Sequence, residues 1–321
     1  MRHVCRIIIC LAFALPCAAA FAQAFPVKPV RLIVGFTPGT SVAIVARLVG
    51  QKLAEGWGQP VVVENRPGAG GNIAADAVAK AAPDGHTIIL ANNSLAISAS
   101  LYKKLSYDAV RDLAPVTQVS YLTHALVVTP NLPANSVREL IALAKAKPGQ
   151  LNFGSGGTGN SDHMAGELFK SMAGIDIVHV PYKGGTEAMN DTIGGQVAMY
   201  FAGVTASLPF VKSGRLKVLG TSGAKRSVVM PEVPTIAEAG LPGYQVTLWN
   251  AFFVPAATPP AVIAKIAADS ARVLKLPEVQ ERLATLGLEI AATPPAETRA
   301  YFGAEIGKWS KVVKSIGLHA E

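Results

Sequence analysis

The segment Leu113–Pro130, LAPVTQVSYLTHALVVTP, decides the predicted fold. It is nearly continuous in extended character, and its apolar residues do not recur at the three- and four-residue spacing of a helix. The segment therefore predicts a long extended connection. One α/β series precedes it, and a second one follows it.

Short β-branched strands alternate with amphipathic helices on both sides of this segment. Before it, we predict strands 30–36, 61–63 and 87–91 and helices 41–55 and 72–81. After it, we predict helices near 136–147, 161–173, 185–194 and 205–213, with strands near 151–154, 177–180, 197–201 and 216–221. A second extended segment, 246–254, precedes three helices that begin near 259, 277 and 295. Strands separated by helices predict parallel sheets.

These patterns predict an α/β fold of two lobes hinged by the two extended segments. Residues 25–120 plus 250–321 form lobe 1, to which the C-terminal helices return, and residues 121–249 form lobe 2. Open α/β sheets bind ligands beyond the carboxyl ends of their strands, so we expect a ligand in the cleft between the lobes.

The first 24 residues have the pattern of a secretory signal. Arg2 and Arg6 precede an apolar run over 7–22, and small residues allow cleavage after Ala22 or Ala24. A retained membrane anchor is the alternative, but the apolar run is short for a span of about 20 residues. The sequence therefore predicts a cleaved signal and a periplasmic protein.

Composition excludes several kinds of site. Cys5, Cys10 and Cys17 are the only cysteines and all lie in the leader, so the mature chain has no thiol chemistry, disulfides or cysteine-bound metal. The net charge of +8 comes from dispersed basic residues with few aromatics among them, which does not favour nucleic-acid binding. The histidines lack the H-x₃-H and HExxH spacings, so we predict no metal site and no cofactor.

Three loops each follow a predicted strand and precede a predicted helix. In the first, GFTPGTS at 35–41, Gly39 allows an unusual backbone angle, and Thr40 and Ser41 are candidate caps of the next helix. Exposed N–H groups at a helix start attract an anion, although an ordinary capped turn has the same pattern. The third loop, YFAGVT at 200–205, contains an aromatic pair that fits either core packing or a cleft wall.

The second loop, GSGGTGN at 154–160, satisfies G-x-G-x-x-G. A dinucleotide site is disfavoured because an exported chain meets little nicotinamide cofactor outside the cell. A hydrolase with Ser155 as nucleophile and Asp162 and His163 as partners is also disfavoured, because the loop is not a G-x-S-x-G elbow. The remaining interpretation is a nest of backbone donors, with hydroxyls of Ser155 and Thr158, that suits a carboxylate.

Six segments along the whole mature chain together resemble one family. They are Lys28–Val34 (KPVRLIV), Val61–Gly71 (VVVENRPGAGG), Pro83–Thr87 (PDGHT), Ala144–Gly149 (AKAKPG), His179–Gly184 (HVPYKG) and Val233–Gly240 (VPTIAEAG). This pattern resembles the Bug receptors, the periplasmic solute-binding proteins of tripartite tricarboxylate transporters.

The resemblance implies a Venus-flytrap receptor (type II-like) without catalysis that delivers a small organic anion to membrane permease subunits. We expect a monomer. A ligand-sensing partner protein and, less favoured, a secreted α/β hydrolase are the alternatives. The predicted ligand-binding residues are Phe36, Thr37, Gly39, Thr40, Ser41, Asn92, Ser94, Ser155, Gly157, Thr158, Gly159, Asn160, Phe201, Ala202 and Gly203.

The sequence departs from the family pattern in the predicted cleft. Ala43 and Ala202 stand where the family usually has Asp, and Asn160 stands where it usually has Ser or Thr. We therefore expect the cleft to prefer an aromatic or aliphatic carboxylate over an amino-dicarboxylate, with the body of the ligand on Phe36, Tyr200 and Phe201. The N–H groups of residues 40, 41, 157 and 159 are expected to be free for its carboxylate.

Overall fold

The computed structural model describes residues 25–38, 40–182 and 184–317. The strands are β1 (Val30–Val34), β2 (Val61–Asn65), β3 (Thr87–Asn92), β4 (Leu113–Val128), β5 (Asn152–Ser155), β6 (Val178–Pro181), β7 (Met199–Gly203), β8 (Lys217–Thr221), β9 (Thr247–Pro255) and β10 (Glu289–Ile290). The helices are α1 (Ser41–Trp57), α2 (Asn72–Ala79), α3 (Ser94–Leu101), α4 (Val137–Ala146), α5 (Ser161–Ala173), α6 (Gly185–Ile193), α7 (Val204–Lys212), α8 (Pro260–Leu274), α9 (Pro277–Thr285) and α10 (Pro295–Ile316). The predicted leader lies outside the described residues, and so do its three cysteines and both cleavage sites.

The strands form two groups that share β4. In the first lobe β1 lies between β2 and β3, all three are parallel, and β9 runs antiparallel to both β3 and β4. In the second lobe β5 lies between β6 and β7 and is parallel to both, while β7 and β8 run antiparallel to β4. All strands are therefore linked through β4 into one hydrogen-bonded sheet with two parallel sections.

β4 changes its partners between Thr123 and His124. The part before this point pairs with β9, and the part after it pairs with β7. The chain returns between Val246, whose N–H donates to Ser222 O in the second lobe, and Thr247, which pairs with Thr123 in the first. The predicted two-lobed α/β fold with two crossing segments is confirmed.

Two elements are absent from the sequence-based prediction. α3 has the sequence SLAISASL, in which apolar and small residues are spread around the helix, so no amphipathic pattern marks it. Residues Leu95–Ser98, which make a full turn of the helix, are all buried, and this burial becomes evident only after packing. β10 is two residues long and exists because it pairs with Ser120 and Tyr121 of β4.

One apolar cluster contains residues of both lobes. Ile33 and Ile89 belong to it from the first lobe, Phe153 and Phe201 from the second, and Trp309 from α10. α8 and α9 pack on α1, whereas α10 packs on both α3 and α5. α8 and α9 thus lie on the first lobe, whereas α10 contacts both lobes. No helix in the described part of the chain is both long and apolar enough to span a membrane.

Candidate ligand-binding site

The first predicted loop leads from β1 into α1. Thr40 occupies the N-cap position with an extended backbone, but its hydroxyl donates to Thr37 O at 2.9 Å and no side chain accepts from the first turn of the helix. The prediction that Thr40 or Ser41 caps the helix through its side chain is therefore wrong. The N–H of Thr40 donates to Thr37 O at 3.5 Å, so the expectation that it is free is wrong. The N–H groups of the first turn of α1 have no side-chain acceptor, which is the arrangement that attracts an anion. Gly39 lies outside the described residues.

The end of β3 lies beside this loop because β1 and β3 are adjacent and parallel. Asn92 Oδ1 accepts from the N–H of Ser94 at 3.0 Å and fixes the start of α3. Phe36 and Asn92 line a common small cavity under Gly71. The structure thus brings Phe36 and Asn92 together at the carboxyl ends of β1 and β3.

The second predicted loop leads from β5 into α5, and its amides already have acceptors. The N–H of Gly157 donates to Ser155 Oγ at 3.2 Å, and the N–H of Gly159 donates to His163 Nδ1 at 3.0 Å. The expectation that these two N–H groups are free is therefore wrong for this conformation. Thr158 and Asn160 are exposed, and the Asn160 amide donates to Gly156 O at 2.9 Å.

A carboxylate of the chain itself occupies this loop. Asp162 Oδ2 accepts from the N–H of Gly156 at 2.6 Å and from the hydroxyl of Tyr200 at 3.2 Å, and the Asp162 side chain is buried. Burial and the neighbouring carboxylate raise the pKa of Tyr200, so its hydroxyl stays protonated and donates. Sequence reasoning missed this role, for which the only signal is an acidic residue in the first turn after a glycine-rich loop.

The histidines lack the spacing of a metal site in the sequence, but two of them stack in the second lobe. The rings of His163 and His179 are 3.9 Å apart, and Ser155 Oγ shares a 2.6 Å hydrogen bond with His179 Nε2. Burial, followed by the influence of His163, lowers the pKa of His179 to about 4. Ser155 therefore contacts His179 rather than the Asp162 and His163 considered for a triad. No cluster of three His, Cys, Asp or Glu side chains suited to a metal ion occurs in residues 25–38, 40–182 and 184–317.

The side chains of the third predicted loop do not face open space. Phe201 is fully buried against Phe169 and Tyr244, with ring centroids 5.8 and 6.3 Å away. Ala202 and Ala43 are also fully buried, each in an apolar cluster of its own lobe. Ala43 and Ala202 therefore do not line an open cleft. The Asp-to-Ala differences at these positions give no reason to expect a preference for aromatic or aliphatic carboxylates over amino-dicarboxylates. Of the predicted residues in this loop, only Gly203 is partly exposed.

We expect the protein to lose stability as the pH falls from about 6.5 towards 4. Burial lowers the pKa of His124 to about 4 from the ordinary 6.5, and His179 shifts in the same direction. The pKa of each histidine is lower in the folded state than in the unfolded state. The neutral histidines therefore contribute fully to stability above pH 6.5, and this contribution is lost on acidification. Melting temperatures measured across this pH range check the expectation.

The variants His124→Gln and His179→Gln should show a shallower decrease of melting temperature with acid than the parent protein. Gln keeps a polar group near the position of the ring nitrogen but does not take up a proton. An unchanged slope in the double variant would contradict the assignment of acid sensitivity to these two buried histidines.

Two α/β lobes joined by two crossing segments, with uncapped or glycine-rich helix starts at the strand ends, define a two-lobed solute-binding protein. The model of the tripartite tricarboxylate transporter family receptor (TctC) matches residues 45–318. The chain belongs to this family, whose members are periplasmic solute-binding receptors, and the resemblance to Bug receptors is confirmed.

Relatives of known name and structure agree with this assignment. Protein BugT from Bordetella pertussis (strain Tohama I) is 37% identical over 302 residues, which cover 94% of this chain and 93% of BugT. The structure of R. palustris Rpa4515 with adipate is 34% identical, with a TM-score of 0.76, and covers 92% of this chain and 99% of the other. MatC from Rhodopseudomonas palustris with bound malate is 32% identical, with a TM-score of 0.74, over 90% of this chain and 100% of MatC.

Proposed function

We propose that this receptor binds a small dicarboxylate between its lobes and delivers it to the membrane permease of a tripartite transporter. The observation that carries the proposal is the uncapped start of α1 beside the end of β3, which offers backbone donors to an anion. Two relatives at 34% and 32% identity hold adipate and malate, which are both aliphatic dicarboxylates.

One carboxylate is proposed to lie at the start of α1, against Ser41 and Asn92, the partly exposed last residue of β3. This placement follows from the difference between the two loops, since the amides of the second loop already donate to Ser155, Asp162 and His163. The second lobe would contribute its exposed side chains, Thr158 and Asn160. The proposed contact set is Phe36, Thr37, Gly39, Thr40, Ser41, Asn92, Ser94, Gly157, Thr158, Gly159, Asn160 and Gly203, with the buried residues Ser155, Phe201 and Ala202 supporting it from the core.

We further propose that the lobes divide at the two crossings, 123/124 and 246/247, rather than at 120/121 and 249/250. The change of strand partners within β4 and before β9 supports these positions. The leader is proposed to be removed after Ala22 or Ala24, releasing a monomer into the periplasm.

The protein is proposed to act without catalysis. Ser155, the candidate nucleophile, is fully buried, so a substrate carbonyl has no access to its hydroxyl. Purified protein should therefore hydrolyse no p-nitrophenyl ester above the rate of buffer alone.

Adipate or malate should raise the melting temperature of the purified protein. A ligand at about 100 times its Kd stabilises the folded state by about 2.7 kcal/mol.

Thr158→Val should weaken binding of the dicarboxylate about tenfold in isothermal titration, because a hydrogen bond to a charged acceptor is worth about 1.5–3 kcal/mol. Absence of binding by every aliphatic dicarboxylate of four to six carbons would contradict the proposed ligand class.

Thr285→Val is the matched control for this titration. Thr285 is an exposed residue on α9, and its hydroxyl donates to Arg282 O at 2.8 Å. It lies outside the proposed contact set, so its removal should leave the affinity unchanged. Equal weakening by both variants would show that the loss at Thr158 is unspecific.

A further inference from the structure

A cavity of about 390 Å³ lies where both crossing segments pass between the lobes. Its walls come from both lobes, from both crossings and from α10. The lining residues that matter here are Tyr121, Thr123, Lys225, Thr247, Glu289 and Tyr301. We call it the hinge cavity.

The hinge cavity lies on the opposite face of β4 from the proposed dicarboxylate site. Leu122 Cδ2 is 3.4 Å from the position that a Cβ on Gly203 would occupy, so Leu122 faces the loop at the end of β7. Successive side chains of a strand point to opposite faces. Tyr121 and Thr123 therefore point away from that loop and into the hinge cavity, which makes the cavity a separate place in the fold.

The first-lobe wall of the hinge cavity carries a carboxylate without a cationic partner. Glu289 accepts from the hydroxyl of Tyr121 at 3.0 Å and from that of Thr123 at 3.4 Å. Burial, followed by the Glu289 charge, raises the pKa of Tyr121 to about 12, so this hydroxyl stays protonated and donates. Within the described ranges no Lys, Arg or His forms an ion pair with Glu289, and its oxygens retain acceptor capacity.

The second-lobe wall carries an unpaired ammonium. Lys225 follows β8, is exposed, and has no hydrogen bond or ion pair with any part of the chain that the structure describes. Its neighbour Arg226 pairs with Glu238 at 2.9 Å, which leaves Lys225 as the available cation of this wall. Lys225 and Glu289 thus line one cavity from different lobes without pairing with each other.

We propose that the hinge cavity is a second ligand site, which takes a small zwitterion by pairing its carboxylate with Lys225 and its ammonium with Glu289. The Glu289 carboxylate would repel a simple anion, and the Lys225 ammonium would repel a simple cation. A ligand with both charges therefore fits the two walls best. The volume falls within the range of about 300–1,000 Å³ that small-molecule sites occupy. The inference does not depend on the identity of the dicarboxylate.

Isothermal titration with 4-aminobutyrate and 6-aminohexanoate tests the proposal, with hexanoate and hexylamine as singly charged probes. We expect one saturable site for at least one zwitterion, and affinity at least about tenfold lower for the singly charged probes. Lys225→Gln and Glu289→Gln should each weaken the zwitterion by about tenfold or more. Adipate affinity should stay unchanged in both variants.

Lys212→Gln and Glu281→Gln remove one charge each outside the hinge cavity and should leave zwitterion binding unchanged. The Glu289→Gln variant keeps a side-chain oxygen that can accept from Tyr121, and melting temperatures verify that each variant is folded. The proposal is overturned if neither zwitterion binds at millimolar concentration, if adipate competes with it, or if both cavity variants bind it like the parent. Failure of adipate binding with zwitterion binding intact would instead contradict the proposed function alone.

Discussion

Replacing Gly166 by Ala should destabilise the protein by about 2 kcal/mol. Gly166 lies in the interior of α5, and an added Cβ would come within 2.5 Å of Phe153 Cδ2. The Phe153 ring is fully buried and lies 5.0 Å from the ring of His179, so it has little room to withdraw. Overpacking of this kind costs about 1–3 kcal/mol or more and exceeds the gain of about 1 kcal/mol in helix propensity.

Gly303→Ala is the matched control for this substitution. Gly303 lies in α10, and an added Cβ there meets no atom within 4 Å. The control should therefore raise the free energy of unfolding by up to about 1 kcal/mol, through helix propensity alone. Chemical denaturation measures both variants, and a Gly166→Ala protein as stable as the control would disprove the tight packing between α5 and β5.

Replacing Glu305 by Leu should destabilise the protein by about 3 kcal/mol. One oxygen of this buried carboxylate, Oε2, accepts from the indole N–H groups of Trp249 and Trp309, each at 3.0 Å. Leu would leave both donors buried without an acceptor, and each unsatisfied group costs about 1–3 kcal/mol. Lys308 would also lose its ion pair with Glu305, although its ammonium can be hydrated.

Glu305→Gln distinguishes the two contributions, because its amide oxygen can still accept from the indoles while the charge is gone. The Gln variant should lose clearly less stability than the Leu variant in denaturant titrations, and the near-ultraviolet circular dichroism of the tryptophans should persist. Equal losses in the two variants would show that the ion pair with Lys308, rather than the indole hydrogen bonds, holds α10 in place.

The sequence is sufficient to predict the two-lobed fold, because strands and helices alternate locally and only two segments break the pattern. It predicts the start of α10 at residue 295, where Pro294 and Pro295 mark the boundary. It does not predict that α10 packs on both lobes, since the helix has apolar residues on more than one face and only three-dimensional packing determines what each face contacts.

The candidate site is predictable at the level of loops and not at the level of hydrogen bonds. The glycine spacing of 154–160 predicts a nest at the end of β5, but two of its amides donate to Asp162 and His163, which follow the loop in the first turn of α5. Burial of Ala43 and Ala202 depends on which face of α1 or β7 meets the core. Residue substitutions within a family pattern therefore carry no information on the cleft until that face is known.

The apolar cluster shared by both lobes affects when the core can be completed during synthesis. Phe153 and Ile33 share this cluster with Trp309, which stands near the C-terminal end of the last helix. A chain synthesised from its N-terminus lacks the residues that close the cluster until α10 has been made. The packing shared by the two lobes can therefore be completed only after the residues of each lobe's own apolar cluster have been made.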